Sequence, residues 1–353
     1  MSIKIVLNGA GRIGKSILKQ LLNDENFEIV AINEINPSIE NIVYSINYDS
    51  TYGKLNDKFK VIENSFIQNQ KSKIKITNYK DISELNLDGV DILIDASGQK
   101  TDLNILRNLK VDKIILTHPQ KDADINIVLG VNEEKIDLKN HKIISTSSCN
   151  ATALLPALKL IDDKKEILCG DIVTIHPLLN HQRVLDGSFV QSATRDVDLN
   201  FEFGRSSTQN IIPSQTTTIK ACSYVLEKFN SNLISSNSLR VPTDTVGVIN
   251  VTLFTKEISS KDEIKNLFLE FERNQKFPIV LNNFEALVSS DFKKEKFTTI
   301  IDHRFLEVKH NMIKLLLRYD NEWGYASKVV EISKYQQYLP KTKNKHLYTT
   351  KTT

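Results

Sequence analysis

At 353 residues, with 40% hydrophobic and 25% charged side chains, the chain has the make-up of an ordinary globular protein and is too long for one ordinary core, so two domains are expected. A net charge of +3 mildly favours anionic substrates and is too small to imply nucleic acid. No apolar run reaches the length of a membrane span, and three cysteines without CxxC spacing argue against a disulfide framework or a metal site.

The opening residues MSIKIVLNGAGRIG read at once as a strand and leave no room for a signal peptide, so a reducing cytoplasm is the expected compartment. Strand and helix signals then alternate as far as residue 148. IKIVLNG (3–9) is a buried-strand run, and residues 12–24 carry apolar side chains at helical spacing in Ile13, Ile17, Leu18, Leu21 and Leu22. FEIVAIN (27–33), VDILIDAS (90–97), DKIILTH (112–118), INIVLGV (125–131) and KIISTS (142–147) are short continuous apolar runs. Strands of that kind with crossovers between them predict a parallel sheet covered on both faces.

The texture changes after Cys149. A helix is expected over about 151–164, then a strand in GDIVTIHPL (170–178), a long polar stretch over 186–218 and a strand in VGVINVTLFT (246–255). Residues 260–274 form an amphipathic pattern with Ser260 as N-cap and Glu263 in the capping-box position. KFTTIID and MIKLLLRYD add strands, 326–339 reads as a C-terminal helix, and the polar tail 341–353 is expected to be loose. Strands with segregated helices predict an α+β second domain.

Two groups of residues carry chemistry. Gly9, Gly11 and Gly14 space a GxGxxG turn between a strand and a helix. In that setting the first glycine makes the turn, the second lets backbone approach a pyrophosphate, and the third lets helix and sheet pack. Arg12 and Ile13 lie in the same turn, where the helix N-terminus offers N–H groups to phosphates. Glu34 follows the next strand, 20 residues after Gly14. A carboxylate there accepts from a ribose 2′-hydroxyl and repels a 2′-phosphate, which favours NAD over NADP. The alternative is a glycine turn that serves packing only.

The second group centres on Cys149, at the junction of a strand end and a helix. A thiolate there gains from the helix dipole, and His176, ending the strand DIVTIH, is the best-placed base. A buried structural cysteine is the competing reading, and these residues alone leave both open. His176 and His181 could equally be strand-end histidines facing solvent. They lack the carboxylate or cysteine cluster of a metal hydrolase.

The motifs NGAGRIG, SSCNAT, TIH…HQRVLDG, QNIIP, LRVPTDTV and YDNEWGYASKVV occur in the order and approximate spacing of the glyceraldehyde-3-phosphate dehydrogenase family, and the resemblance covers roughly residues 3–338. It implies an α/β Rossmann dinucleotide-binding domain plus an α+β catalytic domain. The expected divisions are 1–148 for NAD, 149–320 for catalysis, 321–340 for a C-terminal helix returning to the first domain, and 341–353 for the tail. It also implies a homotetramer. By the same resemblance Cys149 is the nucleophile and His176 its partner. Asn321 holds the nicotinamide amide and Tyr325 lies near that ring, with Thr117 added to the cofactor site. Arg240 binds substrate phosphate, and Ser148, Asn150, His181, Thr216 and Thr217 complete the expected substrate and phosphate set. No membrane or nucleic-acid partner is expected.

The departures from the family concern phosphate. The residue after the nucleophile, usually threonine, is Asn150; the family's Ser-Thr-Gly is Gln215-Thr216-Thr217; and a phosphate-binding threonine is replaced by Leu179. The polar loop near 188–206 is several residues longer than usual. Glu34 after Ile-Asn, Leu179 and the His118-Pro119 pair also resemble erythrose-4-phosphate dehydrogenase, whose acyl group leaves to water. Three outcomes stay open: oxidation of glyceraldehyde-3-phosphate with inorganic phosphate, oxidation of erythrose-4-phosphate or another phospho-aldehyde to the free acid, and a non-catalytic NAD- or RNA-binding relative.

Overall fold

The computed structural model describes residues 2–188 and 201–335. Strands β1 (Ile3–Asn8), β2 (Phe27–Asn33), β3 (Lys60–Ile62), β4 (Phe66–Gln68), β5 (Lys73–Thr77), β6 (Ile92–Asp95), β7 (Lys113–Leu116), β8 (Ile125–Asn126) and β9 (Ile143–Ser145) form one sheet, in the order β3-β4-β5-β2-β1-β6-β7-β9-β8. The chain leaves β1 through α1 (Arg12–Leu21) to β2 on one side, and later places β6 on the other. β1 is therefore the topological switch point, where open α/β sheets bind ligands at the carboxyl ends of their strands. Ile5 and Leu7 of β1 and Ile17 and Leu18 of α1 are fully buried, as their spacing predicts. α2 (Ile39–Asn47) and α3 (Leu103–Asn108) complete the helices of this half.

Two features differ from the sequence reading. The sheet is not wholly parallel, because β4 pairs antiparallel with both β3 and β5. These strands are short and half polar, and they cover one edge of the sheet. The strand expected over 125–131 stops after Asn126. Residues 127–131 turn instead, with Gly130 at φ +81° and the Val131 and Asn132 N–H groups both donating to Val128 O. The apolar residues Ile127, Val128 and Leu129 are buried all the same, so their hydrophobicity reports burial in a turn.

The second sheet contains β10 (Ile167–His176), β11 (Ile212–Ser214), β12 (Ile234–Arg240), β13 (Gly247–Thr255), β14 (Val280–Asn283), β15 (Thr299–Asp302), β16 (Glu307–Lys309) and β17 (Met312–Tyr319). Their order is β11-β12-β10-β13-β17-β15-β14, with β16 on β17. Helix α4 (Cys149–Lys165) starts at the nucleophile candidate itself and packs on β15 and on α5 (Thr218–Val225). Ala151, Leu154, Leu155, Ala157, Leu158 and Ile161 are all fully buried, the pattern of a helix enclosed on every side. α6 (Lys261–Asn274) opens on the expected capping box, Ser260 Oγ accepting from Glu263 N–H at 3.1 Å. The last helix, α7 (Trp323–Lys334), packs against α1. The long-loop expectation near 188–206 falls largely on residues outside those described, as does the expected loose tail.

Candidate active site

The glycine turn has the shape its sequence predicts. Gly9 sits at φ +94°, and a Cβ on it would lie 2.7 Å from the Ala96 backbone. A Cβ on Gly14 would run into the Gly9 carbonyl oxygen, whereas a Cβ on Gly11 would meet nothing within 4 Å. Two of the glycines are thus required by packing, and Gly11 faces open space where a phosphate can approach. Gly11 is also the N-cap of α1 and offers no capping side chain, so the first intrahelical bond is Lys15 N–H to Gly11 O. The N–H groups of Arg12, Ile13 and Gly14 lie in the unsatisfied first turn, an anion site by construction.

Glu34 reaches over this turn. Its Oε2 accepts from Ala10 N–H at 2.8 Å and its Oε1 from Asn36 N–H at 3.3 Å. Beside it, a cavity of about 290 Å³ opens at the ends of β1 and β2, lined by Asn8, Asn33, Tyr79 and Ser97 among others. Asn8 donates to Asp95 at 3.0 Å and accepts from Asn33 at 2.8 Å. This buried amide chain ties the three strand ends together; the sequence reading missed it because Asn8 and Asn33 look like ordinary turn residues. Thr117, after β7, donates through Oγ1 to Asp95 O at 3.0 Å and belongs to the same rim. Glycine turn, open helix terminus, the Glu34 carboxylate and cavity together fit a dinucleotide. The Arg12 guanidinium does not join in, because Glu322 and Asp49 hold it at 2.9 Å or closer. Only its backbone N–H is left for a phosphate.

Cys149 is the first residue of α4. Ser147 before it takes φ +57°, and Ser148 caps the helix, its Oγ accepting from Ala151 N–H at 3.2 Å. Tyr325 holds this turn: its hydroxyl lies 2.7 Å from Thr146 Oγ1 and donates to Ser147 O at 3.1 Å. Asn321 is fixed separately, its Oδ1 accepting from Val246 N–H at 3.1 Å and Thr245 Oγ1 at 3.2 Å.

Cys149 Sγ stands 3.9 Å from His176 Nε2. His176 Nδ1 donates to Pro177 O at 2.9 Å, which places the ring proton there and leaves the Nε2 lone pair to face sulfur. The thiol is not simply favoured as thiolate by its helix, as the sequence suggests. Burial pushes it up to about 11, while Arg240 and the Asn150 and Cys149 N–H groups pull it back. The helix terminus acts, but desolvation outweighs it. The thiol is therefore held protonated beside an imidazole nitrogen placed to accept its proton.

Arg240 is brought in by a strand that the sequence reading did not identify. β12 runs parallel to β10 in unbroken register from Gly170↔Ile234 to His176↔Arg240. The expected base and the expected phosphate-binding arginine are therefore neighbours across one strand pair.

Asn150 departs from its expected role. It is buried, its Nδ2 donates to Thr218 Oγ1 at 3.0 Å, and its Oδ1 accepts from the Tyr319 hydroxyl while lying 3.6 Å from Cys149 Sγ. Its carboxamide joins α4 to β17 and α5 instead of waiting for an anion. Thr216 is drawn into the same chain, its Oγ1 2.6 Å from Thr218 Oγ1. Thr217 caps α5 without a side-chain bond. His181 packs edge-on to Phe203 at 5.6 Å. Tyr319 and Thr218 are site residues the sequence did not single out, and their only signal was the unusual Asn150 beside Cys149. Among the described residues no group of three His, Cys, Asp or Glu side chains could hold a metal ion, and no helix is long and apolar enough to cross a membrane.

Comparison with known proteins agrees with this geometry. Residues 3–103 match the model of the glyceraldehyde 3-phosphate dehydrogenase NAD binding domain, and residues 148–321 that of the C-terminal domain of the same enzyme. Glyceraldehyde-3-phosphate dehydrogenase of Priestia megaterium is 32% identical over 95% of this chain and 98% of its own. That of Buchnera aphidicola subsp. Schizaphis graminum is 35% identical over 94% and 98%, and glyceraldehyde-3-phosphate dehydrogenase 1 of Bacillus subtilis is 30% identical over 95% and 98%. The chain belongs to the glyceraldehyde-3-phosphate dehydrogenase family.

Proposed function

We propose that this protein is an NAD-dependent aldehyde dehydrogenase acting on glyceraldehyde-3-phosphate through a thioester on Cys149. The observation that carries the reading is the Cys149 Sγ–His176 Nε2 approach of 3.9 Å with Arg240 in register beside the histidine. His176 takes the thiol proton as sulfur adds to the aldehyde carbon. The imidazolium returns that proton to the forming alkoxide, giving a thiohemiacetal, and His176 then accepts the hydroxyl proton as the carbon is oxidised to the thioester. Bound NAD supplies the hydride acceptor for that oxidation. The Gly9–Gly14 turn and the first turn of α1 hold its pyrophosphate, Glu34 its ribose, and Asn321 its carboxamide. Arg240 supplies a fixed positive charge for the substrate's phosphate.

Attack on the thioester by inorganic phosphate gives an acyl phosphate; attack by water gives an acid. The internal bonding of Asn150 and the apolar Leu179 favour weak phosphate dependence, which keeps hydrolysis, and erythrose-4-phosphate as substrate, as the second reading. A cytoplasmic homotetramer follows from the family resemblance and is part of the proposal. A panel of phospho-aldehydes with NAD, run with and without inorganic phosphate and with product analysis, tests it. Turnover with glyceraldehyde-3-phosphate supports the first reading. Activity confined to other aldehydes transfers the assignment, and absence of NADH formation with every aldehyde overturns it.

A further inference from the structure

Lys19 lies in the last turn of α1 and is 5% exposed. Its ammonium is shielded from solvent and has no hydrogen-bond partner among the described residues. The carboxylate that could have balanced it, Asp49, is taken by Arg12 at 2.9 Å and Lys15 at 3.5 Å. Burial pushes Lys19 below the usual lysine range; Asp49 opposes this, and Lys15, Arg12 and Lys294 add to the depression. A buried cation left without a partner is costly to a fold unless something else meets it.

Lys19 lines a cavity of about 410 Å³, and the exposed side chains of Lys54, Lys71 and Lys294 line it too, against a single acid, Asp57. Asp57 already accepts from Gln70 N–H at 3.1 Å. Tyr52 and Trp323 form an aromatic wall, their ring centroids 5.3 Å apart. Buried Asp320 fixes three parts of this lining, accepting from the Tyr52 hydroxyl at 2.7 Å, Trp323 N–H at 2.8 Å and Lys294 N–H at 2.9 Å. The cavity thus combines small-ligand size, organised walls, an excess of positive charge and one buried cation lacking an anion. None of its lining residues belongs to the cysteine–histidine pair or the dinucleotide turn.

We propose that this cavity binds a small polyphosphate anion, with Lys19 as the buried counter-charge and Lys54, Lys71 and Lys294 at the rim. The buried Lys19 charge favours an anion in the cavity through its field, and the exposed rim lysines supply the direct contacts to phosphoryl oxygens. The proposal is independent of the aldehyde reaction.

Trp323 is the only tryptophan in the chain, so its fluorescence reads the site directly. The full-length protein, saturated with NAD to block the dinucleotide site, is titrated with pyrophosphate and separately with ATP, with Tm followed in parallel. Saturable change in Trp323 emission and a rise in Tm are expected. Lys19→Met should weaken pyrophosphate binding about 10-fold or more, and Lys71→Gln should weaken it less. Arg240→Met, which alters the proposed substrate-phosphate site, should leave this binding unchanged. Equal affinity for the two probes identifies a free polyphosphate; tighter ATP binding identifies a nucleotide whose base meets the aromatic wall. A folded Lys19→Met variant that binds pyrophosphate as the parent does overturns the proposal. So does loss of the signal in Arg240→Met, or no saturable change up to about 10 mM.

Discussion

Arg12, at the first position of α1, grips Glu322, which precedes α7: Nε lies 2.9 Å from Oε1 and Nη2 reaches Oε2 at 2.5 Å, while Nη1 holds Asp49 at 2.9 Å. One guanidinium therefore joins residues 310 positions apart in the chain. It does so beside the glycine turn on one side and Asn321 on the other.

Removing that cation should be costly. Arg12→Met deprives two largely buried carboxylates of the cation they share, leaving Asp49 with Lys15 at 3.5 Å, and loss of about 2 kcal/mol or more in unfolding free energy is expected. Burial alone would raise Asp49, but Tyr52 N–H, Arg12, Lys19 and Lys15 hold it down at about 2. Its stabilisation is present above the ordinary aspartate value near 4 and is lost as pH falls towards 2. In Arg12→Met the acid loss should begin at higher pH. Urea titrations from pH 3 to 7 check both points; curves matching the parent would rule out the clasp.

Cys149→Ser should abolish aldehyde oxidation while NAD still binds, since a serine hydroxyl is a far weaker nucleophile at neutral pH. His176→Asn should lower kcat by about 10²- to 10⁴-fold. Because burial pushes the thiol up to about 11, alkylation of the resting enzyme by iodoacetamide should climb with pH through the alkaline range. A plateau already reached by pH 6 would mean that a stable thiolate–imidazolium pair exists instead.

Glu34→Ala should reduce NAD selectivity, because the carboxylate braces the Ala10 N–H and, in the ribose-binding role proposed for it, would oppose a 2′-phosphate. Comparing kcat/KM for NAD and NADP in parent and variant decides it. A parent that uses the two cofactors equally would remove Glu34 from the selectivity argument.

Much of the first half was legible in the sequence, because buried parallel strands declare themselves as continuous apolar runs and GxGxxG has strict steric demands at Gly9 and Gly14. β12 was not legible. Ile-Ser-Ser-Asn-Ser-Leu-Arg carries too few apolar side chains to signal a strand, yet its backbone pairs with both β10 and β11. Strands β3 and β4 were missed for a different reason: each is three residues long, too short to show a pattern. Cys149 and His176 could be nominated from their positions at element ends. The use of Asn150 could not, since it depends on Tyr319 and Thr218, which lie 169 and 68 residues away.

Asn150→Ala tests that clamp. It removes the acceptor of a buried tyrosine hydroxyl and a donor to Thr218, so about 2–3 kcal/mol of destabilisation is expected. Tyr319→Phe should cost less, as no orphaned hydroxyl remains. A double-mutant cycle should show coupling between the two positions; strictly additive effects would deny the contact.

Lys328 is buried, donates to Pro278 O at 2.8 Å, and is pushed down by burial to about 7. Between that value and the ordinary lysine pKa near 10.4 the unfolded chain binds the extra proton. This group therefore makes stability rise with pH from about 7 to 10. Lys328→Met should flatten that rise relative to the parent in unfolding experiments at pH 7 and 9. An unchanged slope would mean that Lys328 stays charged in the fold.

The register of β10 and β12 has a further consequence. Residues opposite each other in paired strands share a face of the sheet, so His176 and Arg240 sit at a separation set by backbone hydrogen bonds and not by flexible loops. With Arg240 holding the anionic tail, as proposed above, an aldehyde would meet a ruler: the number of carbons between tail and carbonyl would decide whether the reacting carbon comes level with His176. Substrates one carbon shorter or longer would then be sorted by length. Sliding the ruler would require a shift of two residues along a fully paired strand, since a shift of one turns Arg240 to the opposite face.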